Sequence, residues 1–340
     1  MHINMTAVYP NPSDGTSFYR GAGPWSMLRK QLRKAGVNLN IERPDRVTWS
    51  NLVDKDLVFL QRPMGQQHSL LAEITKRVGV KLWIDYDDAI FDLTPDNPSY
   101  DMYATEDFRS VNQTCMELAD VITVSTESLR DTLPEKHREK VVIIPNAWND
   151  GLFPDFNTRK TDDKPRRIAW RGSATHQEDL FPIVSAVTML AEANPEWEWH
   201  FFGWRPWYFQ HLLNFHHHPM TDVIIYTQQL RECNPRIMFY SLKDTVFNRS
   251  KSNIGWMEAT YAGAATVGPN LPEWTGRGMV NYSSQEEFTK GLYYLMQAKG
   301  KELDGRIASC QSLLQSKLLL TQVNRLRLDV LKNLIPHLIR

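Results

Sequence analysis

FNRSKSNIGWMEATYAGAATVGPN, residues 247–270, opens on polar and basic side chains and runs into a helical pattern over about 252–262 that carries one carboxylate, Glu258. It ends in a small-residue turn and a short apolar strand, 264–267. Loop, helix and strand in that order are one unit of an α/β sheet. The pattern extends outward. Upstream, strands are expected at 167–170, 197–202 and 237–242, with a helix over about 176–193. In the first half, strands at 2–8, 56–60, 80–85, 120–124 and 141–144 alternate with helices at 25–35, 67–78, 106–118 and 128–133. Short β-rich runs alternating with helical periods predict parallel sheets covered by helices. Between the halves, GLFPDFNTRKTDDKP turns polar and irregular and reads as a linker over 151–165. The prediction is two doubly wound α/β domains, 1–150 and 166–320, then a terminal helix in 321–340. A ligand cleft is expected between them, at the carboxyl ends of the strands.

A chain of 340 residues exceeds what one hydrophobic core usually organises, consistent with two domains. Lys plus Arg and Asp plus Glu are 39 each, so no global charge steers the protein to polyanions. Cys115, Cys233 and Cys310 lack metal-ligand spacing and read as buried thiols in a reducing compartment. MHINMTAVYP has no basic region followed by a long apolar one, and no run reaches the roughly 20 apolar residues of a membrane span. A cytoplasmic protein is expected.

The loops after the strands carry the candidate chemistry. YPNPSDGTSFYRGAGPWSMLR follows the first strand, and its glycines, Gly15 and Gly21 among them, allow backbone N–H groups to approach a ligand. WIDYDDAIFDL places Asp85, Asp87, Asp88 and Asp92 within eight residues. Clustered carboxylates suit a divalent metal, a general base or a cap, and structural or acceptor-side roles are favoured over metal. RIAWRG leads into SATHQEDL, which puts Gly172, Ser173, Thr175 and His176 where a helix begins. Four orphan N–H groups favour phosphate there, and Ser and Thr are equally ordinary helix caps. Asn248, Arg249, Ser250, Lys251 and Ser252 repeat the device before the helix bearing Glu258. Two such ends fit a diphosphate, with Glu258 on the inward side accepting hydrogen bonds from ribose hydroxyls.

Taken together, YRGAGPWSML, WIDYDDAIFDLTPDNP, ADVITVSTESLRDTL, VVIIPNAWN, IAWRGSATHQEDL and the 247–270 stretch resemble a retaining GT-B glycosyltransferase. The likeness is to the glycosyl transferases group 1, family 4-like, in a branch common in bacteriophage and bacteria. It implies two Rossmann-like domains, a nucleotide-sugar donor on the C-terminal domain, an acceptor on the N-terminal domain, and a C-terminal helix that crosses back. It further implies that Glu258 is the second Glu of a Glu-x7-Glu signature, with Ser250 departing from the first. Lys251 would neutralise the leaving diphosphate, with Arg171 or the 173–176 loop beside it, and Asp87 and Asp88 would serve acceptor-side catalysis. Tyr19 and Arg20 would lie near donor and acceptor. The donor is then a substrate, and no cofactor or metal is implied.

TQVNRLRLDVLKNLIPHLIR has an apolar face suited to the crossover helix, and a membrane-surface helix is the alternative. For the acceptor, a hydroxylated or hydroxymethylated pyrimidine in DNA and a surface or lipid-linked glycan stand level. Basic runs at Lys136–Lys140 and Lys164–Arg167 are compatible with DNA. The segment 195–220 holds four Trp and five His, suited to stacking or to a buried strand face. Its His216–His218 triplet reads as a solvated loop, because consecutive side chains point apart. A non-catalytic nucleotide-sugar-binding protein of the same fold remains a second reading.

Overall fold

The computed structural model describes residues 3–8, 14–42 and 49–336. His2, the 9–13 part of the first loop and residues 337–340 lie outside them. Twelve strands form two six-stranded sheets among the described residues. The first holds β1 (Ile3–Val8), β2 (Val37–Glu42), β3 (Leu57–Gln61), β4 (Lys81–Tyr86), β5 (Val121–Val124) and β6 (Val141–Ile143), in the order β2-β1-β3-β4-β5-β6. The second holds β7 (Arg167–Gly172), β8 (Glu198–Gly203), β9 (Phe215–Pro219), β10 (Ile237–Phe239), β11 (Ala265–Pro269) and β12 (Val280–Tyr282), in the order β12-β11-β10-β7-β8-β9. Every pairing is parallel. Helices bury both faces of each sheet, so the central strands read as unbroken apolar runs: LVFLQ of β3 is buried throughout. Strand order reverses between β1 and β3 and again between β7 and β10. Ligands of doubly wound sheets bind at such reversals, outside the carboxyl ends of the strands.

Two apolar clusters sandwich each sheet. Trp25, Phe59 and Trp83 meet edge-to-face within the first. Leu320, Val323, Val330 and Leu331 of the last helix, Leu320–Leu334, join that same cluster, and Asn324 Nδ2 donates to the Pro24 carbonyl at 3.3 Å. The terminal helix therefore crosses back onto the first lobe, with its apolar stripe in the core rather than on a membrane surface. The outgoing and returning chains touch: Trp148 N–H donates to Leu318 O at 2.8 Å and Leu320 N–H to Trp148 O at 2.7 Å.

Three local expectations need correction. The helix over 176–193 is broken into a 3-10 turn (Ala174–His176), a short helix (Gln177–Leu180), a second 3-10 turn (Phe181–Ile183) and a helix (Val184–Ala193). Pro182 lacks an amide hydrogen and interrupts the ladder. The strands β2, β9 and β12 and the helices Gly15–Arg20, Val223–Cys233, Gln285–Gln297 and Gly300–Lys317 are among the elements not anticipated. The His triplet is not a loop: it belongs to the edge strand β9, where His216 and His218 share one face.

Candidate active site in the cleft

A cleft of about 650 Å³ opens between the lobes at both strand-order reversals. That volume suits a small-molecule ligand. From the first lobe it receives the helix Gly15–Arg20, which follows β1 and is capped by Asp14, whose carboxylate accepts from Ser17 N–H at 2.6 Å. It also receives Arg62 after β3 and Asp87 and Asp88 after β4. From the second lobe come Gly172, Ser173, Thr175 and His176 after β7, Tyr240 after β10, and Lys251 and Ser252 ahead of the helix Ile254–Tyr261.

On the first lobe, Arg62 organises the acidic loop. Its backbone takes a positive φ of 43° and its N–H donates to Asp85 O at 2.8 Å, which turns the side chain back along β4. The guanidinium grips Asp87 at 2.8 and 2.6 Å and reaches Asp88 at 3.0 Å. The two carboxyls are driven apart. Burial pushes Asp87 up against the pull of Arg62, whereas at Asp88 burial is outweighed by Lys251, Arg62 and His176, which hold it low. Lys251 Nζ stands 3.7 Å from Asp88 Oδ1, over the Phe247 ring at 4.4 Å. The acidic loop thus faces the expected phosphate cation across the cleft.

On the second lobe, Glu258 is 1% exposed and lies beneath the cleft wall. Its carboxylate accepts four hydrogen bonds: Arg171 Nε and Nη2 at 2.9 and 2.8 Å, Tyr19 OH at 3.2 Å and Tyr226 OH at 3.2 Å. Burial, reinforced by Glu258, raises Tyr19 and Tyr226 far above the usual phenol range, so both stay protonated donors. Protein donors occupy both Glu258 oxygens, so in this arrangement neither is presented to the ribose hydroxyls expected there. Arg171 lines the cleft and is bound to Glu258.

His176 Nδ1 lies 2.9 Å from Asp179 Oδ2. Burial lowers its pKa, against the pull of Asp179, so the ring is neutral near pH 7, donating through Nδ1 and keeping Nε2 as an acceptor. Such a ring suits a hydroxyl better than a phosphate. Ser173 and Thr175 hydroxyls bond each other at 2.6 Å at the start of the 3-10 turn. Ser252 accepts from Asn146 Nδ2 at 2.7 Å.

Arg20 lines the cleft floor and is almost fully buried there, paired with Asp85 at 3.0 and 2.6 Å and bonded to Asn146 and the Ile144 carbonyl, so it ties the loops of the floor together. Other expected site residues lie elsewhere. Gly21 closes the first helix, its N–H donating to Ser17 O. Asn248 is buried with its amide on Asp179 and Lys243 O, and Ser250 is buried with its hydroxyl on Val246 O. None of Gly21, Asn248, Ser250 or Glu258 lines the cleft.

Arg62, Tyr226, Tyr240 and Trp274 were not foreseen. The hydroxyl of Tyr240 and the indole nitrogen of Trp274 are buried donors without protein partners at the cleft wall. Gly255 makes room for Tyr240, since a Cβ there would lie 2.3 Å from the ring. Arg62 and Tyr240 each immediately follow a strand beside a reversal of strand order, the positional signal that could have singled them out.

No family model matches the sequence, and no curated protein matches it. In three dimensions the chain is similar to Alr3699/HepE of Anabaena, solved in complex with UDP and glucose, with a TM-score of 0.69 at 10% identity over 98% of this chain and 99% of that one. The fold is GT-B. A glycosyltransferase from Rickettsia africae superposes with a TM-score of 0.64 at 11% identity over 99% of each chain. A Listeria monocytogenes protein described as a UDP-N-acetylglucosamine 2-epimerase gives 0.61 at 12% over 98% and 96%. At these identities the likeness is one of fold.

Proposed function

We propose that this chain is a glycosyltransferase that moves a sugar from a nucleoside-diphosphate donor to a hydroxyl acceptor, with retention and without a divalent metal. One observation carries the reading: Lys251 on the second lobe faces the Asp87–Asp88 loop of the first across a cleft at both strand-order reversals. Negative charge grows on the departing diphosphate, and a fixed cation beside it stabilises that charge. Lys251 is the cation best placed, because its hold on Asp88 is loose while Arg171 and Arg62 are locked in bidentate pairs. Asp88, low in pKa and partly open, orients the acceptor hydroxyl, and His176 Nε2 accepts from a donor hydroxyl. Metal independence rests on Arg62 and Lys251, which already compensate both carboxylates. Complexes of the similar HepE with UDP and with UDP-glucose support a nucleotide-sugar donor here.

For the acceptor, a glycan is favoured over modified DNA. The basic runs flagged for DNA precede β6 and β7, at the amino ends of the strands and away from the cleft. They are also internally engaged: Lys136 pairs with Glu117, Arg166 with Glu196, Arg167 with Glu198, and Lys164 is buried on backbone carbonyls. Most aromatics of 195–220, including Trp197, Trp199, Phe201 and Phe209, are core side chains rather than a stacking surface.

The binding-protein reading keeps one observation in its favour, the saturation of Glu258 together with Ser250 where the family resemblance expects Glu. Hydrolysis of a panel of nucleotide sugars, without acceptor and in excess EDTA, separates the two. Slow turnover of at least one donor under chelation is expected. Tight binding with no turnover of any donor overturns the enzyme reading, and turnover restored only by magnesium or manganese overturns metal independence.

A further inference from the structure

On the outer edge of the second sheet, remote from the cleft chemistry, β8 and β9 run in parallel register with His200 opposite His216 and Phe202 opposite His218. Side chains two apart on a strand share a face. Glu198 and His200 of β8 therefore stand beside His216 and His218 of β9, and the rings confirm it. His200 stacks on His216 with centroids 4.6 Å apart and on His218 at 5.2 Å, and His218 stacks on Phe202 at 4.1 Å. A neutral protein has little reason to gather three imidazoles and a carboxylate on one strip of sheet for packing alone, since imidazole is a poor core filler.

We propose that Glu198, His200 and His216 form a binding site for a borderline transition-metal cation of the zinc class. Ligand atoms of the three all lie within 4.8 Å of one another. His200 Nε2 and Glu198 Oε2 are 3.1 Å apart, close to the roughly 3.4 Å between two ligands of a tetrahedral ion with bonds near 2.1 Å. His216 is exposed, so its ring is free to turn inward and close the third contact. The surrounding groups fit the same reading. His200 Nδ1 lies 2.9 Å from His218 Nε2, so an ion on Nε2 leaves the proton on Nδ1 donated to His218, the outer hydrogen bond that orients a metal-bound histidine. Arg167 Nε donates to Glu198 Oε2 at 2.6 Å and fixes the carboxylate. Two histidines and one carboxylate leave a fourth position for water, and nitrogen-rich ligands select zinc, cobalt, nickel or copper over magnesium or calcium. The positive charge of Arg167 beside Glu198 weakens binding of a cation there.

The bound ion would join the edge strand β9 to β8. β9 ends at Pro219, and Pro219, Met220 and Thr221 continue into the cleft wall, so the same ion stiffens that rim.

The test is calorimetric titration of the full chain with zinc chloride, alongside thermal unfolding with and without zinc and with magnesium as comparison. One equivalent of zinc should bind in the micromolar range and raise the unfolding temperature, while magnesium does neither. His216→Ala, at an exposed position that should fold normally, should weaken zinc binding by roughly tenfold or more and abolish the thermal shift. Glu198→Gln should do likewise, and His211→Ala, at an exposed histidine outside the cluster, should change nothing. No saturable binding by the unaltered chain overturns the proposal. Binding undiminished in both His216→Ala and Glu198→Gln overturns it too, because the ion then sits elsewhere.

Discussion

Asp88 lines the cleft and Glu258 lies just beneath its wall, and the two carboxylates are built for opposite purposes. Glu258 accepts four protein hydrogen bonds through two oxygens and is shut from solvent. Asp88 has Arg62 at 3.0 Å on one oxygen, Lys251 at 3.7 Å on the other, and a side chain 26% exposed. Proximity to a cleft does not make a carboxylate functional. What matters is whether any hydrogen-bonding capacity is left for a ligand: Glu258 has none and binds the two lobes together through Tyr19, whereas Asp88 retains some.

The most direct way to break this contrast is to remove each group. Glu258→Ala leaves the Arg171 charge without its partner. Loss of one member of a buried pair costs about 3 to 5 kcal/mol, and the partial exposure of Arg171 points to the lower end, about 3 kcal/mol. Asp88→Asn should cost only about 1 kcal/mol at neutral pH. Equilibrium urea unfolding of the two variants measures the difference, and equal losses would erase the distinction. Next in size, Lys251→Ala should weaken binding of UDP or GDP by about 1.5 to 3 kcal/mol, the range for a hydrogen bond to a charged group, while leaving stability within about 0.5 kcal/mol. Calorimetric affinities matching those of the unaltered chain would move the phosphate contact to another group.

The smallest effect concerns sign. Asp88 is held below the ordinary carboxyl value of 3.8, so its contribution to stability is present above that value and lost as pH falls through the folded pKa. Asp87 is raised, so its contribution is full below 3.8 and lost as pH rises through the folded pKa. The cost of Asp88→Asn, about 1 kcal/mol at pH 6, should therefore shrink toward pH 3, and the cost of Asp87→Asn should be smaller at pH 6 than at pH 3. Unfolding at those two pH values shows whether the trends oppose. Parallel trends would mean that Arg62 does not separate the pair.

Much of the architecture was legible because alternating apolar runs and helical periods are local properties of the chain. The strand cores of β3, β4, β5 and β7 lie where the pattern put them, and Trp256, Met257 and Tyr261 flank Glu258 with apolar side chains that suit a buried helix. The partners of Glu258 were not legible. Tyr19 and Glu258 are 239 positions apart, and only the packing of the two lobes brings them together. Lys251, Asp87 and Asp88 line the cleft, and their loops stand out in the sequence, yet the role of Arg62 depends on a positive φ that RPMG does not announce. FHHHP looked like a loop because its polarity hides a strand whose histidines stack on those of its neighbour.

The side-by-side contact of Trp148 with Leu318 and Leu320 has a mechanical consequence. A single connecting strand would let one lobe swivel freely about the other. Two strands, bonded to each other where they cross, resist torsion and leave bending about one line as the soft motion. A crossing that resists twist keeps Lys251 in register opposite Asp88, so the facing groups are aligned before any ligand has to align them.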